Sequence, residues 1–310
     1  NASSTIRLRG LSTIGANSSP LVVIDGVVGA SLDNVDPSDI ESFNVLKDAS
    51  AAAIYGSRGS SGVLLVTTKK GQAGVSELTY SGQFSTSGVA NQIDVMSPGE
   101  FVAAGGRDLG SQTDWLDSVT RQAFTQIHNV SASGGAGNST YRVSANLREA
   151  EGILDNSGFD QFNARLNFNT TALNDKLKIQ LNTSFTQRDQ ENGWNESLRY
   201  ATLYNPTAPI YAVDSPYAFN GAQFGGYFET LGLFDSYNPV SIINQNINNG
   251  ERKTVNYGLN LTYEVTDNIT AYFNTAIQSN DYANRIYFRT TSLWNNNDNY
   301  GGADSPVRKG

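Results

Sequence analysis

The sequence predicts a mainly β protein, with a small α/β module followed by about seven antiparallel strands of a transmembrane β-barrel. Three observations carry this. Apolar and polar residues alternate along segments between Glu77 and Ile277, and tight turns and long polar connections join those segments by turns. Before about residue 71 the pattern is different, mixing strand and helix signals. The division falls at residues 1–71 and 72–310.

In the first part, "PLVVIDG" (20–26) reads as a buried strand ending in an Asp25-Gly26 turn, and "ESFNVLK" (41–47) and "GVLLVTTKK" (62–70) read as two more. Between them, "DPSDI" offers Asp36 as a helix cap with Pro37 at the first helical position. "DASAAAIYG" places Asp48 before a run of alanines and Gly56 at the stop. Gly56, Gly59 and Gly62 follow the helix and precede the strand at a spacing of three, which matches neither a phosphate loop nor a dinucleotide turn. They suit a helix stop and a sharp return of the backbone.

In the second part, the alternating apolar sets are Leu78, Tyr80 and Phe84; Tyr141, Val143, Ala145 and Leu147; Phe162, Ala164, Leu166 and Phe168; and Leu177, Ile179, Leu181 and Phe185. Val255, Tyr257, Leu259, Leu261, Tyr263 and Val265 form a further set, followed by Ile269, Ala271, Phe273 and Ile277. "HNVSASG" (128–134) completes seven strands. A soluble sandwich alternates too, so the connections discriminate. Residues 134–139, 173–176 and 266–268 are tight turns, whereas 88–126, 150–158, 188–251 and 289–310 are loops on the other side, as in outer-membrane barrels. Tyr263 and Tyr272 lie near a turn, where an interfacial aromatic girdle belongs. "SPGE" (97–100) is a capping box that predicts a short helix from Pro98 to about Ala104, and 113–122 reads as a second one.

A net charge of −8 argues against nucleic acid as a partner. With no cysteine and a single histidine, His128, there is no thiolate zinc site, no Cys nucleophile and no pair of histidine ligands. His128 reads as part of a strand, and no catalytic, cofactor or metal residue is assigned. The acidic run "LDNVDPSDIE", with Asp33, Asp36, Asp39 and Glu41, lacks the spacing of a calcium loop and reads as caps and solvated turns. The opening "NASSTIRLRG" carries no leader, and no apolar run reaches the ~18 residues of a membrane helix. Strands can still cross a membrane.

The blocks "RLRG", "VIDG", "DIESFNVLKDASAAAIYG" and "GSRGSSGVLLVTTKKG", in this order over residues 5–71, resemble the plug domain of TonB-dependent outer-membrane transporters. More narrowly, they are similar to the SusC/RagA branch, importers of glycans and oligopeptides in the Bacteroidetes. The resemblance implies a plug inside a barrel of about 22 strands, a Gram-negative outer-membrane location, no enzymatic chemistry and no cofactor. Its implied partners are a SusD-like lipoprotein lid, the TonB-ExbB-ExbD motor, a glycan or peptide, and outer-membrane lipid. A coupling segment before Asn1 and about fifteen strands after Gly310 are also expected from it. Plug anchoring and turn roles fall on Arg7, Arg9, Asp25, Gly26, Lys47, Asp48, Tyr55, Gly56, Arg58, Gly59 and Gly62. Of these, Arg7, Arg9 and Arg58 are expected to pair with barrel-wall carboxylates.

In the longest loop, Trp194, Tyr200, Tyr204, Tyr211, Tyr217, Tyr227 and Tyr237 are candidate contacts for substrate or lid, or else aromatics that pack the loop on itself. A secreted β-rich adhesion scaffold and a carbohydrate-active enzyme are the competing readings.

Overall fold

The computed structural model describes residues 19–46, 55–59, 61–230, 236–296 and 307–309. Arg7, Arg9, Lys47, Asp48 and the alanine-rich segment lie outside them.

The described residues form two sheets. The smaller comprises β1 (Leu21–Ile24), β2 (Val27–Val28), β3 (Ile40–Leu46) and β4 (Val63–Thr68), in the order β2-β1-β4-β3. β1 and β4 run parallel, Leu21 against Val63 through Ile24 against Val66. Such near-continuous apolar runs fit strands that are covered on both faces. One face packs Ile24 and Val66 on Val27, Ala30 and Val35, and the other packs Val23 and Val63 on Tyr55.

Asp25 and Gly26, with φ of 49° and 89°, make the two-residue turn between β1 and β2. Both positive φ values are what a type I′ hairpin requires, so the Asp-Gly pair sets this turn. Asp36 caps Pro37–Asp39 as expected, accepting the Ser38 N–H at 2.8 Å, but the element is a single 3-10 turn.

The larger sheet is an antiparallel meander. Its strands are β5 (Ser76–Ser87), β6 (Ala123–Ala136), β7 (Ser139–Glu151), β8 (Ser157–Ala172), β9 (Leu177–Asn192), β10 (Asn246–Thr266), β11 (Ile269–Phe288) and β12 (Val307–Lys309). β12 is a correction, because it pairs with β11 within a segment that the sequence reads as loop. The strands also run further than their alternation does. The longest connection is therefore 193–245 rather than 188–251, and the first long one is 88–122 rather than 88–126.

The two faces of this sheet are inverted relative to a soluble sandwich. Leu78, Tyr80, Tyr141, Val143, Leu147, Phe162, Tyr257, Phe273 and Ile277 are exposed, while Ser144, Asn146, Asn163, Asn167, Asn182, Ser184, Thr186, Thr254 and Asn256 are buried. Tyr263 belongs to the outward set, but Tyr272 stands opposite Thr262 on the polar face and so leaves the proposed girdle.

The long connections carry α1 (Pro98–Ala103), α2 (Glu196–Leu203), α3 (Pro239–Gln245) and α4 (Leu293–Asn296). α1 has the expected capping box, Glu100 accepting the Ser97 N–H at 2.9 Å. The helix expected over 113–122 is one 3-10 turn, Asp117–Val119. Trp115, Val119, Leu154, Tyr204, Phe228, Val240 and Ile243 share one core, so three connections fold together into a cap over one end of the sheet.

Candidate functional site: the junction between plug and wall

The small sheet meets the polar face of the large one through charged and amide groups rather than apolar ones. At the β1–β2 turn, the Asp25 carboxylate accepts the backbone N–H of Thr68 at 2.9 Å and its hydroxyl at 2.7 Å. It also faces the Arg165 guanidinium of β8 at 3.3 Å. Side-chain exposures of 9% for Arg165 and 5% for Asp25 make this a buried ion pair, whose remaining lone pairs Thr68 satisfies.

Asp39 repeats the arrangement from the end of the 3-10 turn. Its carboxylate takes the Arg142 guanidinium at 3.2 Å and the Ser144 hydroxyl at 2.6 Å, both from β7, while its backbone oxygen accepts Lys69 N–H at 2.8 Å. Asn167 of β8 reaches Thr68 Oγ1 at 2.8 Å and the Lys69 carbonyl at 2.9 Å. Gln161 donates to the Asp33 carbonyl at 3.1 Å, and Thr186 to that of Asn34 at 3.3 Å. Three adjacent strands thus hold the β4 end and the 31–39 loop. Beside the contact, a polar cavity of about 470 Å³ opens between Asp39, Lys69 and Lys70 and the inner faces of β5, β6 and β7.

For Arg58 the structure departs from the sequence expectation, while Arg7 and Arg9 lie outside the described residues. Arg58 is exposed and forms no ion pair among the described residues; the small sheet supplies carboxylates and the wall supplies arginines. Register explains this. Glu149, Asp160, Asp189 and Glu251 stand opposite one another in a single row on the outward face, out of reach of anything inside. Asp25 and Gly26 are brought to the junction, whereas Tyr55 packs in the small sheet's core. Gly56 and Gly62 adopt φ of 63° and 95°, and the Gly62 carbonyl accepts Leu21 N–H at 3.0 Å, so the glycine turn returns the chain alongside β1. Asp39 was hidden in the acidic run; only its place at the end of a capped turn distinguishes it.

His128 lies within β6, bonded through Nδ1 to the Tyr80 hydroxyl at 2.9 Å. No group of three or more acidic, His or Cys residues could hold a metal among the described residues.

In the cap, Trp194, Tyr200 and Tyr237 pack with Ile242, Phe288 and Trp294, and Tyr204 lies in the core with Trp115. Those four candidates offer no open face to a ligand. Of the candidates, Tyr211, tilted against Tyr227 at 5.7 Å, and Tyr217, under the Arg107 guanidinium at 4.2 Å, are left exposed, and Tyr227 is half-buried. Glu229, which no sequence signal marks, is buried in this cap, and burial pushes its carboxyl up to about 7. The neighbouring Tyr204 hydroxyl is pushed above the ordinary tyrosine range, mainly by burial.

A family model described as the TonB-dependent receptor plug domain matches residues 1–63. TonB-dependent receptor SusC of Bacteroides thetaiotaomicron is 37% identical over 248 residues, which are 74% of this chain and 25% of that protein. TonB-dependent receptor P3 of Formosa agariphila is 33% identical over 284 residues, 85% of this chain and 27% of its own length. Among solved structures, the RagAB peptide importer in its closed-closed state matches with a TM-score of 0.72 at 22% identity, covering 90% of this chain and 36% of that one. In the open-open state the TM-score is 0.67. These structural likenesses concern the fold. The chain belongs to the SusC/RagA family of TonB-dependent transporters, and it spans about a quarter of the length of the curated relatives it matches.

Proposed function

We propose that residues 1–71 are the larger part of a plug and residues 72–310 the first wall of an outer-membrane importer for oligosaccharides or oligopeptides. The observation that carries this is the junction itself, where a small sheet is held by buried ion pairs against the polar face of a wall whose other face is apolar. Lipid fits the apolar face, and the plug occupies what would be the lumen. Ion pairs and amide hydrogen bonds suit a plug that must be displaced, because water can replace each contact as it opens. No covalent chemistry is part of this function.

A SusD-like lipoprotein on the cap and a TonB-ExbB-ExbD motor on the opposite side complete the proposed cycle, in Gram-negative, Bacteroidetes-like cells. Tyr211, Tyr217 and Tyr227 are its candidate contacts for substrate or lid. The test is the full-length protein in liposomes, with and without its lipoprotein, titrated with oligosaccharides and oligopeptides. Saturable binding of one class supports the reading, and binding of neither in either preparation rejects it. The scaffold alternative requires apolar strand faces to be buried against another sheet, whereas here they are exposed.

A further inference from the structure

Five strands place one residue each in a single cross-strand row. Arg148 of β7 stands opposite Gln161 of β8, Gln161 opposite Arg188 of β9, Arg188 opposite Arg252 of β10, and Arg252 opposite Tyr282 of β11. Residues directly opposite share a face, and Gln161 identifies it as the inner one, because its amide reaches the plug at the Asp33 carbonyl. The row therefore lies at the plug's apex, on the side nearer the cap.

Three guanidinium groups on nearby strands, two of them directly opposed, repel one another. None of the three forms an ion pair among the described residues, although Arg142 and Arg165 lower on the same face each have one. Asp33 of the plug supplies an attractive charge to Arg188 without reaching ion-pair distance. Aromatic rings fix the arginines in place. The Arg188 guanidinium lies 3.7 Å from the Phe159 ring centre and that of Arg148 5.1 Å from the same centre, while Arg252 lies 5.8 Å from the Tyr282 centre. Stacking engages the flat face of a guanidinium and leaves its N–H donors, which lie in the plane, available for a carboxylate. Nε of Arg188 itself is buried and has no acceptor among the described residues.

We infer that this row is a binding site for carboxylate groups on an oligomeric substrate, the first charged contact it makes after passing the cap. The inference rests on the importer reading and gives it a substrate class, namely oligomers carrying repeated carboxylates. Acidic peptide side chains and uronate sugar units present the same group, and the experiment separates them.

The full-length transporter in detergent is titrated calorimetrically with pentaglutamate and with hexagalacturonate, and with pentaglutamine and a neutral galactose hexamer as matched controls. At least one acidic probe is expected to bind at least about tenfold tighter than its neutral match, with an advantage that shrinks in salt. R188Q and the double variant R148Q/R252Q are each expected to weaken it about tenfold, and R188K, which keeps the charge but loses the fork, by less. R252Q is the control against a structural role: removing a directly opposed like charge should leave the melting temperature unchanged or raised while acidic binding falls. Unchanged acidic binding in both R188Q and R148Q/R252Q overturns the inference. If the neutral oligomers bind as well as the acidic ones, or if none of the four probes binds, the inference fails while the importer reading stands, to be decided by the liposome titration with and without the lipoprotein.

Discussion

Glu229 is 1% exposed, and its carboxylate accepts the Asn238 N–H at 2.9 Å. Burial raises its proton affinity, partly offset by that bond and by one from Ser241, so the carboxyl titrates at about 7 against 4.5 ordinarily. The folded cap thus holds a proton that the unfolded segment releases. Its stability is greatest below the unfolded value, falls as pH rises from about 4.5 to about 7, and is flat above, by roughly 3 kcal/mol in all. E229Q is expected to keep the Asn238 bond, remove this slope and stabilise the cap at pH 8. Amide hydrogen exchange of the 193–245 loop at pH 5.5 and pH 8 measures it; a wild-type loop equally protected at both pH values rejects the argument. The anchors obey a different rule. D25N leaves the Arg165 guanidinium buried without its counter-charge, at a cost of about 3–5 kcal/mol, and D39N does the same to Arg142. In planar bilayers the D25N/D39N transporter should show leak conductance absent from wild type, and D39N/R142Q should leak less than D39N. Equal leak in those two would mean that the pair does not hold the plug.

Helix α3 depends on one side chain. Asn238 Oδ1 accepts from Val240 and Ser241 N–H at 3.0 and 3.1 Å, and its Nδ2 donates to the carbonyls of Ile210 and Phe228. N238A should therefore cost more than an ordinary cap, about 2–4 kcal/mol once the orphaned buried carbonyls are included. S97A on the exposed α1 should cost about 1 and leave the cap intact. Protease cleavage within 193–245 should accelerate in N238A alone, and equal acceleration in S97A would contradict this account. The contrast also explains which elements were legible in the sequence. Asp36-Pro37 and the Ser97 capping box are local signals, and both fell where expected. Asn238-Pro239 is the same kind of cap-and-proline signal, but it stands inside a long polar connection where it went unread, and the surrounding cap is ordered by distant contacts such as Trp115 Nε1 to the Asn205 carbonyl and Trp194 Nε1 to that of Asn246. Residues Asn246 to Thr254 of β10 were missed because they are all polar apart from Ile247 and Gly250, and a strand with polar side chains on both faces has nothing to alternate. The anchors needed register, which places Arg165 inside and Asp160 outside although both lie on β8.

Across the wall, the apolar outward residues end at Leu147 and Phe162 on β7 and β8, directly before the row of Glu149, Asp160, Asp189 and Glu251, and one position earlier on β9 and β10, at Phe185 and Val255, with Gln187 and Lys253 between. On β10 the apolar stretch runs from Val255 to Val265, which in a strand tilted by roughly 40° spans about 25 Å, the height of a barrel's lipid-facing band. The boundary with the carboxylate row then marks the outer interface, with the cap and the upper part of the 21-residue β10 beyond it. The same wall presents arginines inward and carboxylates outward at that level, so its inner face attracts anions while its outer face stays wet. β5 and β12 are the sheet's edges among the described residues, and an edge facing hydrocarbon leaves backbone N–H and C=O groups without partners, at several kcal/mol each. Closure must therefore come from further strands. The full-length transporter is expected to run as a compact, heat-modifiable and protease-resistant species in detergent. Residues 1–310 expressed alone should aggregate in buffer and show no heat-modifiable form. A monodisperse, detergent-free monomer of this segment would mean that the exposed Leu78, Tyr141, Phe162 and Tyr257 tolerate water, and that the face assigned to lipid has another role.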